Sequence, residues 1–383
     1  MRSNGQGRLI AGMVLGAAVL AAQEAPLPNG SININLAKDS PVSLLSMTSD
    51  QSRAMARGAA MVLDLHLSMT LKNIGANRIH GLTMRVVSQE VTMGGKGSVS
   101  LASLNIGPGE IFPVRIDMQL VRPTQIAGGP LVQVDLDGVL YQDLSFYGPD
   151  SLRTRRILTA CEKEAQRDRE HFKRILAQGG KEELRRAILG RISRDSGQAP
   201  LNVKVIPHGQ AVTSAALPPE HSEQFAMVTF PDSPVQPVDG SAQVAGNQAR
   251  TPHVDVINKS NRLVRYVEVG WILSDQAGRQ SIAASLPSGN ADLNLSPGKT
   301  ASVRQDTALE LYSIKGQPTN VQKMTGYIKQ VQFNDGEVWI PSRQSLQEPE
   351  LRNAVAPSAE EQRLAALYLK NGIDGLVEEL KKF

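Results

Sequence analysis

The residues of this 383-residue chain that could do chemistry are few and scattered. Six histidines, at positions 66, 80, 171, 208, 221 and 253, stand far apart, and none has the spacing that brings two imidazoles onto one metal ion. Each is expected at the surface, His66 on the polar side of an alternating strand and His171 among helix charges. The sequence holds no GxSxG elbow for a serine nucleophile and no HExxH pair. Gly94-Gly95-Lys96-Gly97-Ser98 has the composition of a phosphate loop without its GxxxxGK[ST] order, and it reads as a hairpin tip. Asp135, Asp137 and Asp143 carry oxygens suited to calcium, yet they alternate along one hairpin, where a solvated strand face is expected. No catalytic residue, cofactor site or metal site is expected from this inventory.

The single cysteine, Cys161, cannot close an intramolecular disulfide, and it reads as a small apolar residue on a helix. Aromatic residues make up only 4% of the chain, which disfavours a sugar-stacking platform. Trp271 shares a strand face with Val267, Val269 and Leu273 and is expected in a core; Trp339 follows a hairpin and is the aromatic expected to be accessible.

Charge supplies the one strong local signal. Between Asp150 and Asp195 there are 13 Lys and Arg against 8 Asp and Glu, a net of +5 (13 − 8), while the whole chain carries +4. The remainder therefore sums to −1, and no extended nucleic-acid groove is implied. Arg155, Arg156, Arg167, Arg169, Lys173 and Arg174, together with Trp339, are the candidate partner-binding residues, and an acidic protein partner would suit the basic segment.

These residues have to be positioned by elements, and the elements repeat. Leu63, Leu65, Leu67, Met69 and Leu71 alternate with polar residues, as in a strand with one face in a core. That strand runs into a polar turn at Asn73, and Val254 and Val256 run into a like turn at Asn258. Leu104-to-Gly109 matches Leu293-to-Gly298, each a Pro-Gly corner before an outgoing strand. Asp137-Gly138 with Tyr141, and Asp335-Gly336 with Trp339, read as paired Asp-Gly hairpins. The offsets between these landmarks are 185, 189 and 198 residues. A mainly β chain follows, of two immunoglobulin-like antiparallel β-sandwiches with a helical connector and a C-terminal helical tail.

The expected organisation is a signal peptide over 1–22, a first sandwich over 31–148 and a basic helical connector over 150–195. A linker with short strands, joining the second sandwich, covers 196–250; the second sandwich itself covers 251–345, and helices cover 357–383. The connector breaks at Gly179-Gly180. The tail starts with a capping box, Ser358 and Glu361, and breaks near Asn371-Gly372. Arg2 and Arg8 before the 14-residue apolar run Leu9–Ala22 form an export signal too short for a membrane span, so no transmembrane segment is expected in the mature chain.

The second sandwich, with Asn258, Tyr266-Val-Glu-Val269, Asp275, Gly278 and Leu295-Ser-Pro-Gly298, resembles the FxLYD and CARDB-like group of bacterial extracytoplasmic immunoglobulin-like domains. The whole chain is similar to uncharacterised exported proteins of acidobacterial type. The resemblance implies a sandwich fold in the periplasm or outside the cell, and no activity. The expected function is that of a non-catalytic envelope interaction or scaffold protein, binding a protein through sandwich edges, loops or the basic connector. A divergent extracytoplasmic hydrolase and a carbohydrate-binding module are the alternatives.

Overall fold

The computed structural model describes residues 24–28, 30–124, 130–195, 201–207, 219–283, 293–304, 307–313, 315–352, 355 and 357–383. The export signal and His208 lie outside the described residues. Among the described residues no helix is long and apolar enough to cross a membrane.

The first sandwich is built from β1 (Glu24–Pro26), β2 (Ile32–Asn35), β3 (Val42–Thr48), β4 (Arg53–Arg57), β5 (Ala60–Asn73), β6 (Ile79–Val87), β7 (Lys96–Leu101), β8 (Ile111–Pro123), β9 (Val132–Tyr141) and β10 (Phe146–Tyr147). β5 is its axis: Leu63, Leu65, Leu67, Met69 and Leu71 are buried, and the residues between them are exposed or half-exposed. One edge of β5 pairs with β3 and β4, the other with β8 along its whole length. The second sheet runs β10-β9-β6-β7, with β2 added parallel to β9.

The second sandwich repeats this topology. Its strands are β11 (Leu201–Pro207), β12 (His221–Gln224), β13 (Ala226–Val228), β14 (Val235–Ala245), β15 (Gln248–Asn258), β16 (Val264–Ser274), β17 (Gln280–Ala283), β18 (Thr300–Arg304), β19 (Thr307–Ser313), β20 (Lys323–Phe333) and β21 (Val338–Trp339). β14-β15-β18 corresponds to β3-β5-β8, β21-β20-β16-β17 to β10-β9-β6-β7, and β13 lies parallel to β20 as β2 does to β9. Its core draws Val254, Val256, Val267, Val269, Trp271 and Ile328 from both sheets. Each large apolar side chain so buried contributes about 1.5–3 kcal/mol over leaving it in water. Residues 235–245, whose Pro, Ser, Ala and Gln composition reads as linker, form the full strand β14, because alternate members Ala242 and Val244 reach this core.

Two of the three sequence landmarks coincide hydrogen bond for hydrogen bond. Gly109 N–H donates to the Asn73 carbonyl (2.8 Å) and Gly298 N–H to that of Asn258 (2.9 Å). The buried Asn73 and Asn258 side chains each accept a backbone N–H two residues on, from Gly75 and Ser260. This local bond is why asparagine occupies both corners. The third landmark differs between the copies. Asp335-Gly336 is the tip of the β20–β21 hairpin, with Gly336 at φ 88°, but Asp137-Gly138 lies inside β9 and Gly138 has no positive φ. The first-copy hairpin tip is Asp143-Leu144, where Leu144 takes φ 65°; Asp143 accepts from Ser145 N–H as Asp335 does from Glu337 N–H. Gly138 is there for space: a Cβ would stand 2.1 Å from Phe146 Cζ. The buried Asp137 carboxylate instead accepts from Ser151 Oγ–H and from the backbone N–H of Ser151 and Leu152, fixing the loop that opens the connector.

The connector is α1 (Thr154–Asp195), broken at Gly180 (φ 69°, ψ −167°). A single turn, α2 (Pro349–Arg352), precedes α3 (Ala359–Lys381), which starts on the Ser358–Glu361 capping box and breaks at Gly372 (φ 70°, ψ −171°). Both breaks sit in backbone that glycine alone adopts readily. The duplication reaches into these helices. Phe172, Ile175, Gly180, Leu184 and Ile188 match Leu364, Leu367, Gly372, Leu376 and Leu380, each pair 192 residues apart, and the apolar ones form one shared core. The C-terminal helices are thus the second helical hairpin of a four-segment cluster whose first is the connector.

By compactness the chain divides into two units. One comprises residues up to Gly75 with Met84–Val99 and Pro108–Leu136; the other comprises Ala76–Thr83, Ser100–Gly107 and Asp137 onward. The four-segment helix cluster, the second sandwich and the ends of β6 and β9 nearest α1 all belong to the latter.

Candidate functional site

The basic connector does not present one charged face. Arg167, 16% exposed, donates from Nε to Asp168 Oδ1 (3.0 Å) and from Nη1 to the Pro341 carbonyl (3.0 Å). Arg169, 3% exposed, meets Glu162 Oε1 at 2.5 Å and Glu360 Oε1 at 3.4 Å, and stacks over the Phe383 ring. Arg156 lies flat on Tyr266, 3.8 Å from the ring centre, and donates to Gln332. Lys173 is half-buried; Arg174 and Arg155 are exposed. Arg155 and Arg156 line a cleft of 320 Å³ with Arg153 and Arg265, whereas Lys173 and Arg174 lie elsewhere along α1. The segment is basic because the buried acids it meets come partly from α3, Glu360 and Glu361 among them. Trp339 is half-buried, tilted against Phe230 and packed on the second core.

His80 overturns the expectation of a surface histidine. It is 2% exposed, with Nδ1 2.8 Å from Glu162 Oε1, although the two are not aligned as a hydrogen bond. The reason is that Ile79–Met84 of β6 is buried on both faces: a Cβ on Gly81 would meet Leu158 of α1 at 3.1 Å. His66 stays half-exposed between Asp64 and Asp117, and its hydrogen bond to Asp117 raises its pKa. Asp135 bonds Asn35 and Gln133, and Asp143 bonds Ser145, so the three aspartates serve separate local bonds. Gly95 is tied back to Thr92, Ser88 and Gln89 in the loop between β6 and β7, as a hairpin tip should be.

Two titratable groups on α1 are shifted strongly. Burial, helped by Glu164, pushes the Cys161 thiol up to about 11, which favours the neutral thiol over the thiolate at neutral pH. Burial also takes His171 down to about 4, with Arg343 and Arg191 adding repulsion against the pull of Asp168 and Glu361. The unfolded histidine would take a proton below about pH 6.5, and the folded one only near 4. Stability is therefore complete above pH 6.5 and declines as pH falls toward 4, by an amount reduced because the ring is only half-buried. In His171→Asn that decline should flatten in thermal melts between pH 7 and 4.5; an unchanged profile would remove His171 from the balance.

The feature that could take a partner lies on the first sandwich, at the outer edge of β8. Its inner edge pairs with β5 throughout. Val121 N–H points outward and donates to the Gly94 carbonyl. By strand alternation the backbone groups of Arg115, Asp117 and Gln119 point outward too, with their side chains exposed. Among the described residues no strand pairs with them. Pro113 sits on the same alternation, where its missing N–H costs no ladder bond. In the second copy the continuation of the equivalent strand, β19, does carry a strand on its outer edge: β11 pairs with it antiparallel over seven residues. Sequence reasoning marked β8 as a strand and could not mark it as an edge, since neighbours in a sheet are set by topology.

No family model matches the chain, and no curated protein matches it. Among solved structures it is similar to a transglutaminase from red sea bream (10% identity, 76% of this chain and 31% of that one, TM-score 0.13). It is also similar to a β-glucosidase from Kluyveromyces marxianus (8% identity, 70% of this chain and 45% of that one, TM-score 0.15). The chain spans less than half the length of either, and at these TM-scores neither likeness bears on fold or function.

Proposed function

We propose that this chain is a non-catalytic interaction or scaffold protein of the cell envelope, exported to the periplasm or beyond, which takes an extended segment of a partner protein along β8. The observation that supports this reading is the open edge at Arg115, Asp117 and Gln119, beside the use of the same kind of edge by β11 on β19. Main-chain pairing of this sort gives affinity with little demand on partner sequence. Each bond adds about 0.5–1.5 kcal/mol net, so a five-residue strand would bind reversibly. The resemblance of the second copy to FxLYD and CARDB-like domains, and the apolar N-terminal run, support the extracytoplasmic setting.

A photo-cross-linking residue at position 119, introduced in the native envelope, should trap one protein species. Gln119→Pro removes an outward N–H while leaving the β5 ladder intact, as Pro113 already does. That variant should melt within a few degrees of wild type and bind the trapped partner at least about tenfold more weakly. Equal binding by Gln119→Pro, or cross-links that appear only from Arg155 or Arg174, would overturn the edge reading and return attention to the connector.

A further inference from the structure

Val91 and Met93, at the tip between β6 and β7, are 90% and 93% exposed, the highest values among the large apolar side chains described. Scattered exposed apolar residues are ordinary, and Leu369 and Val238, at 68% and 62%, stand singly in the sequence. Two side chains this bare, with one residue between them, are a different case, because a loose loop would fold them against the sandwich. The tip is not loose. Ser88 and Gln89 N–H both donate to the Gly95 carbonyl (2.8 and 2.9 Å), and Gly95 N–H donates to that of Thr92 (2.8 Å). The Gly94 carbonyl accepts from Val121 N–H of β8 (2.8 Å). Gly94 takes φ 77°, and a Cβ on Gly95 would stand 2.2 Å from the Gln89 carbonyl oxygen. The backbone is fastened, and the fastening holds both apolar side chains in water.

Other parts of the first sandwich reach the same end. Thr124 N–H donates to the Ala59 carbonyl (3.1 Å), which sets the β4–β5 tip at the end of β8 where Val121 holds Gly94. Arg57 and Lys96 are exposed there, and among the described residues neither has an acidic partner. The acid of the β6–β7 tip, Glu90, is held by Arg85. β1 is entered from this end too, since Glu24 pairs with Met55, two residues before Arg57. The apolar run Leu9–Ala22 therefore joins the sandwich here. A chain whose export signal engages a membrane meets that membrane first with this end. We propose that the end docks on an anionic lipid surface, Val91 and Met93 entering the layer between headgroups and acyl chains while Arg57 and Lys96 meet the headgroup phosphates. Taking a valine or methionine side chain out of water is worth at least about tenfold in partitioning. A cation near an anionic surface adds about fivefold, and salt weakens that part alone. The proposal shares the envelope setting of the proposed function and is independent of the β8 edge.

The test uses the mature chain, from Gln23 on, so that the apolar run contributes nothing, and sediments it with sucrose-loaded vesicles. The vesicles are phosphatidylcholine alone or an equal mixture with phosphatidylglycerol. The chain should bind the mixed vesicles, and bind phosphatidylcholine alone at least about tenfold more weakly. The double variant Val91→Asp, Met93→Asp should melt as wild type does, since neither side chain is packed, and lose at least about tenfold on the mixed vesicles. An environment-sensitive fluorophore on Met93→Cys, in a Cys161→Ala background, should shift to the blue on those vesicles. The same label on Ser68→Cys, on the exposed face of β5, should not. Failure to sediment with the mixed vesicles, undiminished binding by the double variant, or a label at position 93 that stays in water would each overturn the assignment. Self-association that the double variant abolishes, without vesicle binding, would assign the tip to a second copy of the chain instead. Gln119→Pro should bind vesicles as wild type does, so that failure at the β8 edge and failure at this end are read separately.

Discussion

Asp168→Ala is expected to lower the unfolding free energy by about 3–5 kcal/mol, the cost of removing one member of a buried ion pair while its partners stay. Asp168 is 0% exposed and receives Arg167 Nε at 3.0 Å and Arg343 Nη1 at 2.6 Å. Arg343 goes on to Glu361 Oε1 (2.6 Å), which also meets Arg191 Nε (3.2 Å). One carboxylate thus ties α1 to the segment leaving the second sandwich and to the first turn of α3. Burial alone would raise its pKa, but the Arg167 hydrogen bond and charge, with Ser358 and Arg343, outweigh burial and hold it below the ordinary carboxylate value. With the folded value lower than the unfolded one, the stabilisation is complete above about pH 4 and fades as pH falls through the folded value. Urea unfolding at pH 7 and at pH 3 is the measurement: the gap between Asp168→Ala and wild type should be wide at pH 7 and narrower at pH 3. A loss below about 1 kcal/mol at pH 7, within the range of a surface pair, would show that the arginines find water once the acid is gone.

What could be read in the sequence and what could not follows from the range of the interaction involved. The alternation of Leu63 to Leu71, the Asx corners at Asn73 and Asn258, the Pro-Gly turns and the Ser358–Glu361 box are satisfied within a few residues, and each is where the residues place it. Asp137-Gly138 carries the same local signal as Asp335-Gly336. It is nonetheless held inside β9, because Phe146 and Ser151, eight and fourteen residues on, decide what those two positions do. The fate of the connector's arginines lay still further away. A run of positive charge reads as a solvated face until Glu360 and Glu361, almost two hundred residues later, fold back onto Arg169 and Arg191. His80 is buried because β6 is covered on both sides, and the weak alternation through Gly81, Leu82, Thr83 and Met84 is the sequence's hint of it. The edge at β8 had no sequence counterpart, since an unpaired strand and a paired one share the same alternation.

Phe172→Ala and Leu364→Ala are expected to cost about 3–5 and 2–5 kcal/mol respectively, the range for emptying a close-packed position. The two sites are 192 residues apart, equivalent in the duplication, and buried in the same cluster at 1% and 0% exposure. The equivalence of Gly180 and Gly372 in φ and ψ makes each helical hairpin turn the same way, so both present the same apolar positions. Neither apolar stripe is wide enough to support a helix in water; each hairpin covers the other's. Because the two side chains empty into one core, the double variant should depart from additivity by about 0.5–3 kcal/mol, beyond the few tenths expected of independent sites. Chemical unfolding followed by far-UV circular dichroism, for wild type, both single variants and the double, gives the cycle directly. The single variants should also lower the midpoint of the same transition, since neither hairpin keeps its stripe covered once the other leaves. Additive losses, or two transitions that move separately, would mean that the hairpins are stabilised one by one, and that the second arose as a tail rather than as the counterpart of the first.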